Sequence, residues 1–342
     1  MSYPHFGVVG AGAWGTACAQ ALARAGREVS LWAREDELVR ALNTERRNPT
    51  YLPGVEVHAG IRATAELAEL GECDAVLSVV PAQHTRGVLE ALRPHVADGT
   101  PVVLCSKGIE LGTRAFMSEV LGEALPGAVP AVLAGPSFAV DVASGLPAAV
   151  TLACAEREVL EGLGSSIKSG TFRPYLSTDV LGAEIGGAVK NVLAIACGIV
   201  LGLGLGRSAH AAVISRGFAE MRRLGVALGC EADTLTGLCG LGDLVLTCSS
   251  EQSRNMSCGL ALGRGESLES IMGGRRAVTE GVATAPALRE MARDAGVDMP
   301  ISEVVAAIVE GETEVGEAAG ALLRREVRWE AEDYGAGGAT TL

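Results

Sequence analysis

Lysine is scarce in this chain of 342 residues. Only three of its 28 basic residues are lysines, at Lys107, Lys168 and Lys190, and the other 25 are arginines. Lysine can lose its proton in a protein whereas arginine cannot, so the positions that retain lysine are candidates for proton chemistry. A basic stripe is also lacking, and the net charge of −13 argues against a nucleic-acid partner.

Long apolar segments and patterned cysteines are missing as well. The longest apolar run, 192–206, is shorter than the roughly 18 residues of a membrane span, which favours a buried core helix and no membrane span. The nine cysteines form no C-x-x-C pair, and no signal-like segment precedes the first strand-like run. Reduced thiols and a cytoplasmic location are therefore expected. No cluster of metal-ligand residues is seen, so no metal is expected.

The length suggests two domains of about 150 residues each. Over the first 180 residues, short apolar runs such as 75–80 and 101–106 alternate with amphipathic stretches of helical length. Buried strands separated by helices indicate an α/β fold with a Rossmann-like, doubly wound and mostly parallel sheet. We therefore predict a dinucleotide-binding domain over residues 1–180.

Helical patterning takes over beyond residue 180. Segments rich in Ala, Gly and Leu, among them 181–203, 209–228 and 282–295, have helical length, and strand-like runs are absent. We predict an all-helical, substrate-binding and catalytic C-terminal domain over residues 181–328. Residues 329–342 have poor periodicity and are predicted to form a flexible tail.

The glycines Gly10, Gly12 and Gly15 form a G-x-G-x-x-G turn between a predicted strand and a predicted helix. Gly10 allows the tight turn, Gly12 lets the backbone approach a pyrophosphate, and Gly15 lets the helix pack on the strand. The helix N-terminus attracts the anion. The position of the motif near the N-terminus predicts dinucleotide binding.

The end of the second predicted strand bears on the choice of cofactor. An NAD enzyme usually carries an acidic residue there to hold the ribose 2′-hydroxyl, whereas this chain has Trp32 and Ala33 followed by Arg34. An arginine at this place favours the 2′-phosphate of NADP over NAD. The alternative is that Arg34 is a solvated charge at a helix start.

Lys190 is the candidate acid–base group. It lies on the apolar helix that opens the second predicted domain, where burial would lower the pKa of its ammonium toward neutrality. Asn191 beside it, and the close approach that Gly186 and Gly187 permit, favour function. The alternative is a lysine at the helix edge whose ammonium reaches solvent.

Other polar residues stand where a substrate would be held. Lys107 ends a buried strand, and residues 135–139 follow another strand and open a helix. Residues 253–255, which read Ser-Arg-Asn, precede a helical run and suit a phosphate. Asp243 in a glycine-rich turn would orient Lys190 or balance its charge, unless it only caps a helix.

These motifs resemble those of the bacterial-type NAD(P)-dependent sn-glycerol-3-phosphate dehydrogenase family over nearly the whole chain. The matching segments are GAGAWGTA near the start, SKGIE at 106–110, AGPSFA at 134–139, GGAVKNVLAI at 186–195, GLGDLVLTC at 240–248, QSRN at 252–255 and AVTEGVAT at 277–284. The resemblance implies a Rossmann domain followed by a helical domain. It also implies the NAD(P)H-dependent, reversible reduction of dihydroxyacetone phosphate to sn-glycerol 3-phosphate for phospholipid synthesis, with Lys190 as the proton donor and acceptor.

The resemblance also implies the remaining site residues. The substrate would contact Lys107, Gly135, Ser137, Lys190, Asp243, Ser253, Arg254 and Asn255, with Arg254 and Asn255 clamping its phosphate. The cofactor would contact Gly10, Gly12, Ala13, Trp14, Gly15, Arg34, Lys107, Ala139, Arg254, Val278 and Glu280. Position 13 is often Ser in the family and is Ala here, which removes a side-chain hydrogen bond to the cofactor phosphate. Thr247 and Asn191 would be polar neighbours.

Two other functions remain open from the residues alone. A β-hydroxyacid-type NADP dehydrogenase shares the Rossmann domain, the helical domain and the lysine, and would take a carboxylate in place of the phosphate. A non-catalytic dinucleotide sensor would need only the glycine turn. A homodimer is expected from the surfaces that helical domains of such folds present.

Overall fold

The structure, a computed structural model, describes residues 2–273, 279–327 and 329–330. The chain divides into two compact units, the first formed by residues up to Lys107 together with 115–184, and the second by residues 108–114 and the chain from Ile185 onward. The predicted tail, 329–342, lies outside the described residues apart from positions 329 and 330. The roles predicted for residues 1–180 and 181–328 stay a prediction.

An eight-stranded sheet forms the centre of the first unit. The strands of the chain are β1 (His5–Val9), β2 (Glu28–Trp32), β3 (Arg47–Asn48), β4 (Leu52–Glu56), β5 (Ile61–Thr64), β6 (Ala75–Ser78), β7 (Pro101–Leu104), β8 (Val129–Ala134), β9 (Ala148–Ala153) and β10 (Phe172–Ser177). The sheet order is β10-β9-β8-β7-β6-β1-β2-β5, with β8 and β9 antiparallel and every other pair parallel. The succession from β5 through β1 to β8 is the Rossmann order, so the predicted fold class is confirmed.

Six helices belong wholly to the first unit. They are α1 (Ala13–Arg24), α2 (Asp36–Arg40), α3 (Ala82–Leu92), α4 (Met117–Ala124), α5 (Ala139–Ala143) and α6 (Arg157–Ile167). A π-turn at Ala41–Glu45 continues α2, and a 3₁₀ turn covers Leu67–Glu72. The strands β1, β6 and β7 are buried almost throughout, because helices cover both faces of a sheet wound in this way.

The second unit is helical. Its helices are α7 (Val180–Gly202, whose first residues belong to the first unit), α8 (Gly206–Leu228), α9 (Ala232–Thr236), α10 (Asp243–Cys248), α11 (Arg254–Gly263), α12 (Leu268–Gly273), α13 (Glu280–Asp294), α14 (Pro300–Val309) and α15 (Val315–Leu323). A π-turn at Leu238–Gly242 leads into α10. α7 is long and apolar enough to cross a membrane, yet 83% of its most apolar window is buried inside the structure, as is typical of a core helix.

Candidate active site

The glycine turn joins β1 to α1 where the strand order of the sheet reverses. Gly10 has a φ of +105°, a conformation that residues with a Cβ rarely adopt. A Cβ on Gly15 would lie 1.8 Å from the Gly10 carbonyl oxygen, so the missing side chain lets α1 pack onto the turn. A Cβ on Gly12 would meet no atom within 4 Å, so the backbone at Gly12 faces open space.

This geometry fits a dinucleotide pyrophosphate. The first N–H groups of the 12-residue helix α1 have no partner within a helix and carry the positive end of its dipole. Trp14, in the first turn of α1, has a buried indole Nε1 without a hydrogen-bond partner in the described part of the chain. A buried donor of this kind would be satisfied by an acceptor on a bound group.

Arg34 lies two residues beyond the end of β2. Its side chain is 82% exposed and pairs with the carboxylate of Glu35 at 3.1 Å. An exposed guanidinium is accessible to a 2′-phosphate, although Glu35 would compete for it. The preference for NADP therefore stays a prediction.

Lys107, Trp14, Gly135 and Ser137 come together in the first unit. The Lys107 ammonium donates to the Gly135 carbonyl oxygen at 3.2 Å and lies 6.0 Å from the centre of the Trp14 ring. The Ser137 hydroxyl donates to the same carbonyl at 3.0 Å. Gly135 has a φ of +145°, and a Cβ there would lie 2.9 Å from the Cα of Val150. Glycine is thus required for the backbone course that gathers these groups.

Lys190 is buried on α7 in a polar cluster of the second unit. Its ammonium lies 2.5 Å from the Asp243 carboxylate and donates to the Thr247 hydroxyl at 2.9 Å. Thr247 donates in turn to Asp243 at 3.2 Å. Asp243 and Thr247 face Lys190 together because they are four residues apart on α10. Gly186, one turn before Lys190, lets the backbone of the π-turn before α10 lie close to α7, since a Cβ on Gly186 would lie 2.5 Å from the Cys239 carbonyl oxygen.

A buried thiol also lies near this cluster. The hydrogen bond with Cys197 and burial raise the pKa of Cys248 well above its usual range, against the opposing effect of the Lys190 charge. Cys248 is therefore a neutral thiol at neutral pH. Asp243 supplies the negative charge beside the Lys190 ammonium.

The first turn of α11 carries Ser253, Arg254 and Asn255. Ser253 is the N-cap, and its hydroxyl oxygen accepts from the Met256 N–H at 3.2 Å. Asn255 is buried, and its amide nitrogen donates to the Asn191 side-chain oxygen at 2.9 Å. Its own oxygen accepts from the Gly281 N–H at 2.9 Å. Asn255 therefore joins α11 to α7 and α13, and within the described part of the chain the second hydrogen of its amide remains for a ligand.

The other predicted residues lie at helix starts. Ala13 begins α1, Ala139 begins α5, Glu280 begins α13, and Arg254 is exposed at the start of α11. Val278 lies outside the described residues.

Two buried side chains that sequence analysis did not single out contact backbone carbonyls of the segments that carry candidate residues. Asn48 donates to the carbonyl of Ala11 in the glycine turn at 2.9 Å, and His210 lies 2.7 Å, through its Nε2, from the carbonyl of Cys248 at the end of α10. Because a carbonyl only accepts, the Nε2 of His210 carries the proton. The partners are 37 and 38 residues apart along the chain, so no local sequence pattern identifies these contacts.

Fold and glycine turn together define the class of Rossmann-type dinucleotide-binding proteins. Comparison with known proteins narrows this class. A family model described as the N-terminus of NAD-dependent glycerol-3-phosphate dehydrogenase matches residues 5–160, and the model described as its C-terminus matches residues 179–320.

Whole proteins agree with the family models. The chain is 64% identical to a protein of Hyphomonas neptunium over 96% of this chain and 98% of that protein, and 60% identical to one of Maricaulis maris over 94% and 97%. Both are named glycerol-3-phosphate dehydrogenase, NAD(P)+. The crystal structure of glycerol-3-phosphate dehydrogenase from Coxiella burnetii is similar with a TM-score of 0.90 and 37% identity, covering 95% of this chain and 99% of that one. The chain belongs to the NAD-dependent glycerol-3-phosphate dehydrogenase family.

Proposed function

We propose that this protein catalyses the NAD(P)H-dependent, reversible reduction of dihydroxyacetone phosphate to sn-glycerol 3-phosphate, which supplies glycerophospholipid synthesis. The observation that carries the proposal is the buried Lys190 ammonium held at 2.5 Å by Asp243, in a chain whose family is named for this chemistry. Family membership favours the phosphorylated substrate over a hydroxyacid, and an enzyme over a dinucleotide sensor.

Residues 1–180 would bind the dinucleotide, and residues 181–328 would supply the catalytic group. A bound NAD(P)H would supply the hydride for the carbonyl carbon. Lys190 donates its proton to the carbonyl oxygen as negative charge develops there, and its neutral amine takes back the hydroxyl proton in the reverse direction. Asp243 and Thr247 hold the ammonium in place.

The start of α11 is proposed to hold the substrate phosphate. Arg254 is exposed there, the backbone N–H groups of the first turn carry the positive end of the helix dipole, and Asn255 has a second amide hydrogen besides the one it donates to Asn191. The phosphate is remote from the reacting carbon, so its binding energy serves to orient the ketone.

The direct test is spectrophotometric. Purified protein should oxidise NADPH or NADH when dihydroxyacetone phosphate is added, and should not do so with a panel of keto acids. Oxidation with the keto acids alone would replace the proposal by the hydroxyacid dehydrogenase. Binding of NADPH without oxidation by any phosphorylated ketone would replace it by the sensor.

Lys190→Ala tests the acid–base role. We expect kcat to fall by roughly 10²–10⁴, while the dissociation constant for NADPH stays close to wild type. The matched variant is Lys168→Ala, which removes an exposed lysine at the end of α6. Equal turnover in the two variants would exclude Lys190 as the proton donor.

Arg254→Ala tests the phosphate contact. We expect it to lower kcat/KM for dihydroxyacetone phosphate much more than for unphosphorylated dihydroxyacetone. Arg264→Ala, at the opposite end of α11 and also exposed, controls for loss of a positive charge. The same proportional loss on both substrates would refute a phosphate-specific contact.

NADP preference and a cytoplasmic homodimer complete the proposal. The exposed Arg34 supports the former, and Arg34→Ala should then weaken NADPH binding more than NADH binding.

Burial of the apolar helix α7 supports a location away from the membrane. Sedimentation of the purified protein measures its mass, and a monomer would contradict the homodimer.

A further inference from the structure

Asn48 is a buried side chain that reaches the glycine turn from a different part of the chain. It ends β3, in the two-stranded hairpin of β3 and β4, and is 1% exposed. Its amide nitrogen donates to the Ala11 carbonyl oxygen at 2.9 Å and to the Thr16 hydroxyl at 2.8 Å. Its oxygen accepts from the Tyr51 N–H at 3.0 Å. Both amide hydrogens are therefore used on residues of the turn and of α1.

These bonds fix the direction of one peptide group. The Ala11 carbonyl and the Gly12 N–H belong to the same planar, trans peptide, so they point in opposite directions. Because Asn48 holds the carbonyl toward the protein interior, the Gly12 N–H is directed away from it. A Cβ on Gly12 would meet no atom within 4 Å, so there is space for a ligand beside this residue at the N-terminus of α1.

The turn needs such a brace because its own sequence resists a peptide flip only weakly. Rotation of this peptide changes ψ of Ala11 and φ of Gly12, and glycine tolerates nearly the whole range of φ. Thr16 gives limited help, since its hydroxyl lies 3.4 Å from the Ala11 carbonyl. The Gly12 carbonyl is held separately, by the Thr16 N–H at 2.9 Å.

We propose that Asn48 is a positioning residue for dinucleotide binding, because it holds the Ala11 carbonyl inward and thereby keeps the Gly12 N–H directed at the pyrophosphate. This inference rests on the proposed binding of NAD(P) at the glycine turn. Asn48 does not touch the dinucleotide in this scheme; it acts through the backbone of the turn.

The test compares Asn48→Ala with Asn43→Ala by calorimetric titration with NADPH. Asn43 lies in the same unit and braces β5 through its side chain, which donates to the Ala63 carbonyl and accepts from the Ala63 N–H, both at 2.9 Å. A hydrogen bond to a charged group contributes enough that the dissociation constant for NADPH should rise about tenfold in Asn48→Ala. Asn43→Ala should bind NADPH as wild type does, even if its melting temperature falls.

Turnover separates positioning from simple loss of stability. In Asn48→Ala, KM for NADPH should rise with its dissociation constant while kcat at saturating NADPH stays close to wild type. A variant that is only less stable would lose active protein, so kcat would fall and the dissociation constant of the folded fraction would not change. That second pattern would overturn the proposal.

Asn48→Asp provides a second measurement if the alanine variant does not fold. The carboxylate keeps the acceptor for the Tyr51 N–H but cannot donate to Ala11 or Thr16. We expect weaker NADPH binding here as well, and binding equal to wild type would overturn the positioning role. If wild type and Asn43→Ala both fail to bind NADPH and NADH, the proposed function itself is wrong, and the inference that rests on it is overturned too.

Discussion

Lys190 is subject to two opposing effects at the scale of a single residue. Burial in an apolar helix disfavours the ammonium, whereas a carboxylate at 2.5 Å favours it. Sequence analysis predicted the first effect from the apolar surroundings and left the role of Asp243 open between charge balance and helix capping. The structure places the Asp243 carboxylate beside the ammonium, where it balances the charge and opposes the effect of burial.

Thr247 offers a way to disturb this lysine without removing its charge or its counter-ion. Thr247→Val keeps the shape of the side chain but removes the hydroxyl that accepts from Lys190 and donates to Asp243. We expect kcat to fall about tenfold, the equivalent of one hydrogen bond, with little change in KM for NADPH. Steady-state kinetics with both substrates varied measures the two constants.

Thr247→Ser is the matched variant, because it retains the hydroxyl and removes only the methyl group. It should lose much less turnover than Thr247→Val. Equal losses in the two variants would show that packing of the methyl group, rather than the hydrogen bonds, holds the lysine.

Some residues of the candidate site can be identified from the sequence, and others cannot. Lys190, Asp243 and Arg254 stand in distinctive local patterns, and all three were identified as candidates from those patterns. Asn48 and His210 carry no such pattern, because their partners lie 37 and 38 residues away. Contacts of that separation exist only once the chain has folded.

At the scale of elements, glycines set the distance between α7 and α11. Two glycines on each helix face the backbone of the other helix, spaced four residues apart: Gly198 and Gly202 on α7, and Gly259 and Gly263 on α11. A Cβ at any of them would lie between 2.0 and 2.5 Å from a carbonyl oxygen of the opposite helix. This close approach brings the start of α11 to the turn of α7 that carries Asn191.

Gly259→Ala should therefore damage both stability and the site. Its Cβ would lie 2.0 Å from the Ile195 carbonyl oxygen, so one helix must move. We expect the free energy of unfolding to fall by about 3 kcal/mol, measured by urea denaturation. KM for dihydroxyacetone phosphate should rise as well, because α11 carries Arg254.

The control is Gly316→Ala on α15, where the added Cβ meets nothing within 4 Å. Alanine there should leave stability unchanged or raise it by up to about 1 kcal/mol. A similar loss of stability in both variants would contradict close helix packing as the reason for glycine at position 259.

Element prediction succeeded where the hydrophobic pattern was long. The predicted helices at 181–203 and 282–295 correspond to α7 and α13 with limits shifted by one or two residues. Sequence analysis missed β10, an edge strand that contains Pro174 and exposes Tyr175 and Leu176. It also missed the hairpin of β3 and β4, because a strand of two residues has no periodicity to detect.

At the scale of the whole molecule, each unit contains a buried glutamate that caps a helix belonging to another part of the chain. Glu184 accepts from the Ser118 N–H at 2.7 Å in the first turn of α4. Glu220 accepts from the N–H groups of Ile301 and Ser302 at 2.7 and 3.1 Å in the first turn of α14. Burial nevertheless raises the pKa of each carboxyl to about 7, against the opposing effect of these hydrogen bonds.

The raised pKa gives the stability of each unit a definite pH dependence. Between the ordinary pKa of 4.5 and the folded pKa of about 7, the folded state binds more protons at Glu220 than the unfolded state does. The stabilisation that protonated Glu220 gives the folded state is therefore fully present below pH 4.5 and is lost as the pH rises through 7. From pH 5 to pH 8 this loss amounts to about 2 to 3 kcal/mol for one such carboxyl.

Glu220→Gln removes this titration while keeping a side-chain oxygen that accepts from the start of α14. Its free energy of unfolding relative to wild type should therefore improve by about 2 to 3 kcal/mol between pH 5 and pH 8, measured by urea denaturation at both values. Glu303→Gln, which replaces a partly exposed carboxylate on α14, controls for the loss of a negative charge next to the start of that helix. The opposite result is that the free energy of unfolding of Glu220→Gln relative to wild type stays constant or falls as the pH rises. It would mean that the three hydrogen bonds from Ile301 and Ser302 outweigh burial and keep Glu220 ionised.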